Sequence, residues 1–116
     1  MNYLLILNDP PYGTERSYNA LRLGLSLRKQ RDVALKVFLL GDAVGCAKAG
    51  QMTPEGSYNL GRMLKGLTSH YIPVGVCGTC LDARGITDTE LLDGAHRSSM
   101  EELTAWTMEA DRVLAF

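Results

Sequence analysis

Cys77-Gly78-Thr79-Cys80 places two thiols on either side of two residues, the first of them a glycine. That spacing brings two sulfurs within reach of one disulfide or one metal ion. A structural zinc site needs four ligands. The other two would have to come from Cys46, His70 and His96, none of which is paired at ligand spacing, so the sequence weighs against zinc and predicts no metal. A thiol pair acting as nucleophile or redox couple fits the motif better. The plain alternative is packing, because a free cysteine often serves as a small buried hydrophobe. Placement in a glycine-bearing CxxC at a strand end favours reactivity for Cys77, with Cys80 as its partner, whereas Cys46 in Gly45-Cys46-Ala47 sits among small residues and reads as structural.

The turn needs a strand to end it and a helix to follow it. Tyr71 to Val76 reads as that strand, with Pro73 near its start where a missing amide costs least. Thr79 to Arg84 can form a helical turn. The Cys77 sulfur would then lie beside unpaired amides and the positive end of a short helix dipole, which favours thiolate over thiol, and Arg84 would add positive charge. Gly78 opens the turn. Two further strand ends carry candidate binding residues, Asn8 and Asp42; for Asp42 the commoner role is a helix cap or loop carboxylate. His70 at a helix end and His96 near a weak strand have no visible partner that would make either a general base.

The remaining elements follow the same alternation. Residues 2 to 7 form an apolar run that stops at Asn8-Asp9-Pro10-Pro11-Tyr12-Gly13. Thr14 can cap a helix carrying Tyr18, Leu21 and Leu25 at helical spacing, up to the basic run Arg28 to Arg31. Val33 to Leu40 is a second strand ending at Gly41-Asp42, from which Asp42 could cap a short helix through Lys48. Residues 49 to 56 have loop composition, and after Ser57 a helix presents Leu60, Met63, Leu64 and Leu67 on one face. Thr87-Asp88-Thr89-Glu90 is a capping box for a short helix, followed by a small strand around Ala95 to Arg97. Ser98-Ser99 with Glu101 and Glu102 opens a helix carrying Met100, Leu103 and Thr107 on one side, and Val113 to Phe116 supplies a last strand. Apolar strands alternating with helices predict an α/β fold, a three-layer α/β/α sandwich around a mainly parallel sheet with right-handed crossovers. Ligands in such sheets bind beyond the carboxyl ends of the strands, where Asn8, Asp42 and Cys77 stand.

With 116 residues the sequence predicts a single domain spanning 1–116. Its net charge of −1 and scattered Lys and Arg argue against nucleic acid as a partner. Its apolar runs are too short for a signal segment or a membrane span, which predicts a cytoplasmic protein without membrane attachment. Three cysteines in a reducing compartment are not a disulfide framework. Neither GxGxxG nor a Walker motif occurs, and no cofactor is expected.

Taken in order, Asn8-Asp9-Pro10, Gly41-Asp42-Ala43-Val44, Gly50-Gln51, Tyr58-Asn59-Leu60, Cys77-Gly78-Thr79-Cys80, Ala83-Arg84-Gly85-Ile86 and Glu109-Ala110-Asp111-Arg112-Val113-Leu114 resemble the DsrE/DsrF-like small sulfur-relay proteins, YchN-like and TusD-like members included, over nearly the whole chain. The resemblance implies five strands, homo-oligomers, usually trimers or hexamers, and a persulfide-carrying cysteine upstream of an Arg-Gly pair. By position that cysteine is Cys77. Cys80 departs from the relay members' pattern and resembles the CGxC form of YchN-like relatives. Three functions stay open at this point: a sulfur carrier or sulfurtransferase working with donor and acceptor proteins, thiol-disulfide exchange through Cys77 and Cys80, or a non-enzymatic oligomeric binding module.

Overall fold

The computed structural model describes residues 1–54 and 58–116. The expectations for residues 55 and 56 of the loop and for Ser57 lie outside that range. The strands are β1 (Asn2–Leu7), β2 (Ala34–Leu39), β3 (Val74–Cys77), β4 (Ala95–Ser98) and β5 (Arg112–Ala115). The α-helices are α1 (Arg16–Leu27), α2 (Leu60–Thr68), α3 (Gly78–Ala83) and α4 (Met100–Glu109), with 3₁₀ segments at Gly41–Ala47 and Asp88–Glu90.

The strands form one sheet in the order β4-β3-β2-β1-β5, and every neighbouring pair is parallel. From β1 to β4 the chain steps in one direction; from β4 to β5 it returns past three strands to the far side of β1. Right-handed crossovers running in opposite directions fall on opposite faces of a sheet, so α4 lies opposite α1 and α2. Side-chain alternation agrees. Leu35, Val37 and Leu39 share one face of β2, where Leu5, Leu35 and Leu67 crowd Gly24 of α1 at ordinary contact distance. Phe38 points the other way and meets Trp106 of α4 edge to face, ring centroids 5.9 Å apart. The three-layer α/β/α sandwich is therefore present, with a fully buried core on the α1/α2 side and a thinner layer under α4. Lys36 lies on that thinner face; its Nζ reaches Glu109 at 2.9 Å and stands over the Trp106 ring, keeping its charge at the rim.

Several boundaries differ from expectation for local reasons. Thr14 does not cap α1: its hydroxyl donates to the Asp9 carboxylate at 3.0 Å, and Glu15 occupies the cap position. Asp42 is not a cap either, since Leu40 precedes the 3₁₀ segment and the Asp42 carboxylate is engaged elsewhere. The third strand starts at Val74, not Tyr71. Tyr71 has φ 62°, its amide bonds Thr68 O at 2.9 Å and the Ile72 amide bonds Leu67 O at 3.3 Å, so these residues terminate α2 in a Schellman motif. Ser99 caps α4 as expected by accepting from the Glu102 amide, but the Glu102 carboxylate turns to Ser98 and His96, so the capping box is half formed. On α4 the buried residues are Leu103 and Trp106, while Met100 is exposed. The Thr87/Glu90 capping box forms in full. No helix among the described residues is long and apolar enough to cross a membrane.

Candidate functional site

Strand β3 is buried along its whole length and ends at Cys77, which is both its last residue and the N-cap of α3. A cysteine there points its sulfur at amides that the helix itself leaves unpaired. The Cys80 amide donates to Cys77 Sγ at 3.3 Å, and the Thr79 hydroxyl lies 3.3 Å from the same sulfur. Cys80 Sγ in turn accepts from the Gly41 amide at 3.2 Å, where the chain leaves β2 and enters the first 3₁₀ segment.

The two thiols differ in their electrostatics. Burial pushes the Cys77 thiol up, but hydrogen bonds from the Cys80 thiol, the Thr79 hydroxyl and the Cys80 and Thr79 amides outweigh it and bring the pKa below the ordinary 9.0. Cys80 moves the other way: burial and its bond to the Cys77 sulfur raise it, and the Gly41 amide and the Arg84 charge offset that only in part. The two thiols titrate as a pair, and the surroundings favour ionisation at Cys77 over Cys80. Cys46 is fully buried, and burial lifts its pKa to about 12, which fits a packing role.

Gly78 has neighbours where a side chain would begin. A Cβ there would lie 3.0 Å from Arg97 Nε and 3.1 Å from Ser98 O, closer than side-chain carbons normally approach. Arg84 Nε and Nη2 donate to Asp42 Oδ1 at 3.0 and 2.8 Å, and Arg84 Nη1 donates to Cys80 O at 3.1 Å. Asp42 and Arg84 therefore form one bridge on the Cys80 side of the turn. Asn8 stands apart: its side-chain amide donates to Phe116 O at 3.1 Å, although its own carbonyl lies close to Gly41. The structure brings Cys77, Cys80, Gly78, Asp42 and Arg84 together, and it turns the Asn8 side chain towards the end of the chain.

Sequence reasoning missed Arg97. It sits on β4 opposite Val76 and helps to line a cavity of about 260 Å³ with Cys77, Thr79, Phe38, Leu40 and Met100. Its only signal in the sequence was a place near the end of a weakly marked strand. His96, read as partnerless, is held by Glu102 and meets Trp106 edge to face. Among the described residues no three His, Cys, Asp or Glu side chains come together as a metal would require.

The model of the DsrE/DsrF-like family matches residues 1–116. Among curated proteins the chain is 43% identical over 114 residues to Protein YchN of Escherichia coli strain K12, covering 97% of each chain. It is 33% identical over 95 residues to Sulfurtransferase TusD of Buchnera aphidicola subsp. Acyrthosiphon pisum, covering 79% of this chain and 73% of that one. The crystal structure of the E. coli YchN protein superposes with a TM-score of 0.94 at 42% identity, covering 99% of this chain and 98% of the other.

Proposed function

The chain belongs to the DsrE/DsrF-like family, and on that premise we propose that it is a sulfur carrier of the relay type, with Cys77 as the thiol that holds the sulfur. The observation that carries the reading is the inequality of the turn: Cys77 Sγ, at the N-cap of α3, has the Cys80 amide and the Thr79 hydroxyl at 3.3 Å, while Cys80 Sγ has the Gly41 amide at 3.2 Å. A sulfurtransferase name on a relative that this chain largely covers supports the same chemistry.

The transfer balances without an oxidant. Cys77 thiolate attacks the outer sulfur of a donor persulfide; a Cys77–sulfur bond forms, the donor's S–S bond breaks, and the electron pair leaves with the donor thiolate. An acceptor thiolate then attacks the outer sulfur on Cys77, which leaves as thiolate again. The turn amides hold the anion, Gly78 lets Arg97 and Ser98 pack against the turn, and Asp42 and Arg84 fix the Cys80 side of the turn, with Asn8 on the neighbouring loop. The donor and acceptor are proteins carrying cysteines, and the carrier works in the cytoplasm as a homo-oligomer. The exposed edge strand β5 supports the last point, because Val113 and Leu114 present apolar side chains and, among the described residues, one row of its backbone groups has no neighbouring strand.

Incubation with a persulfide donor followed by mass spectrometry tests the reading. The expected result is one added sulfur on Cys77, retained in Cys80→Ser and absent in Cys77→Ser. A reduced, alkylatable Cys77 that gains no sulfur overturns it. Loading slows as pH falls through the Cys77 pKa, because the nucleophile is lost by protonation. The placement of both thiols on one turn, with the Cys80 amide bonded to the Cys77 sulfur, favours a second reading, thiol-disulfide exchange. That activity requires Cys80, so reduction of a small disulfide by wild type and not by Cys80→Ser would identify it.

A further inference from the structure

Helix α3 has six residues, too few to hold its own position, yet the state of Cys77 depends on where its first turn lies. Its attachments are therefore decisive. Leu81 anchors it in the core, and Arg84 ties its far end to Asp42. On the side facing β4 the attachment is Arg97. Its Nη2 donates to Asp82 Oδ2 of α3 at 2.6 Å, its Nη1 to Asp88 Oδ1 of the second 3₁₀ segment at 3.2 Å, and its Nε and Cζ lie against Gly78. One planar fork thus joins β4, α3 and the loop beyond it, and bears directly on the residue after Cys77.

We propose that Arg97 is a positioning residue for the Cys77 thiolate: it acts by clamping α3 through Asp82 and Asp88, not by lending its charge to the sulfur. The inference rests on the reading of Cys77 as the reactive thiol. Arg97 is also balanced by two carboxylates, so the charge it presents to Cys77 is largely cancelled. Exposed pairs of this kind contribute little to overall stability, so Arg97→Ala and Asp82→Asn are expected to fold, with a local effect.

Charge and position predict opposite signs for one substitution. The ionisable groups around the sulfur are Cys80 and Asp82 on α3, Arg84 at its C-terminal cap and Arg97 on β4, with Asp42 and Asp88 bonded to the two arginines. Behind Ser98, Glu102 of α4 is paired with His96. Asp82→Asn removes a negative charge near Cys77, which by electrostatics alone lowers the pH at which the thiolate forms. If Arg97 works as a clamp, the same substitution loosens α3 and raises it.

The experiment is the rate of Cys77 alkylation against pH, read by peptide mass spectrometry, with thermal unfolding as a check on folding. The expected result is an upward shift of the midpoint by about one pH unit in both Arg97→Ala and Asp82→Asn, a loss of thiolate approaching tenfold below the midpoint. Arg97→Lys keeps the charge without the fork and stays shifted. A midpoint that falls or does not move in Asp82→Asn, or full rescue by Arg97→Lys, overturns the proposal. Persulfide loading measured on the same wild-type sample separates the two readings: absence of loading defeats the sulfur-carrier reading and leaves the alkylation midpoints to decide the role of Arg97.

Discussion

Three cysteines of one chain occupy three distinct environments, and backbone placement separates them. Cys77 meets donors at the start of α3, Cys80 meets one amide and one arginine, and Cys46 meets the core. Cys46 supplies a pH test with a definite sign. Its pKa is raised from 9.0 to about 12 in the folded chain, so its contribution to stability is complete below pH 9 and is lost as pH rises from there towards 12, where the unfolded chain ionises first. Urea unfolding of wild type and Cys46→Ala across that range should give a steeper alkaline loss for wild type. Parallel curves would mean that Cys46 is not held in the buried, neutral state.

At the scale of elements, polar side chains of loops fix the segments that bear the thiols. Gln51 Nε2 donates to Cys46 O and Lys48 O at 2.9 Å, while its Oε1 accepts from the Gly61 amide at 3.1 Å, joining the first 3₁₀ segment to α2. Asn59 caps α2 through its Oδ1 and bonds Gln51 O through its Nδ2. These contacts give a physical role to Gln51 of Gly50-Gln51 and to Asn59 of Tyr58-Asn59-Leu60. At its other end α2 stops on Tyr71, a left-handed residue that is 94% exposed. The side chain gains little contact and carries the strain that glycine avoids at this position. Tyr71→Gly is therefore expected to stabilise the fold by about 0.5–1 kcal/mol, read as a higher urea midpoint with unchanged slope. A lower midpoint would show that the tyrosine ring makes contacts that outweigh the strain.

For the molecule as a whole, the sheet order leaves β4 and β5 as edges. All four residues of β5 are exposed, and Val113 and Leu114 are 41% and 37% accessible. An apolar edge of this kind is normally covered or charged, and in the proposed homo-oligomer a second copy covers it. Sedimentation should find an assembly that Val113→Lys with Leu114→Lys disperses to single chains. A wild-type protein that sediments as a monomer would remove the oligomer from the proposal.

The alternation of apolar strands and amphipathic helices was legible from side-chain periodicity, because burial on both faces of a parallel sheet leaves a continuous apolar signature in β1, β2 and β3. The Cys77 turn was legible for a related reason, since the end of a buried strand and the start of a helix are both marked by local residue types. Local signals misled where a polar side chain had a more distant partner: Thr14 went to Asp9, Asp42 to Arg84 and Glu102 to His96. Tyr71 was read as strand because its type favours strands, whereas its conformation is set by the end of α2. Periodicity and turn residues in the sequence determined the fold class and picked out the Cys77–Cys80 turn, while the expectation that Cys77 and not Cys80 carries sulfur came from the resemblance to relay proteins. Only the tertiary structure decided that Arg84 pairs with Asp42, through the packing of α3 against the first 3₁₀ segment, and that Arg97 lies beside Gly78, because parallel pairing sets β4 against β3 and brings a residue twenty positions further along the chain next to the turn.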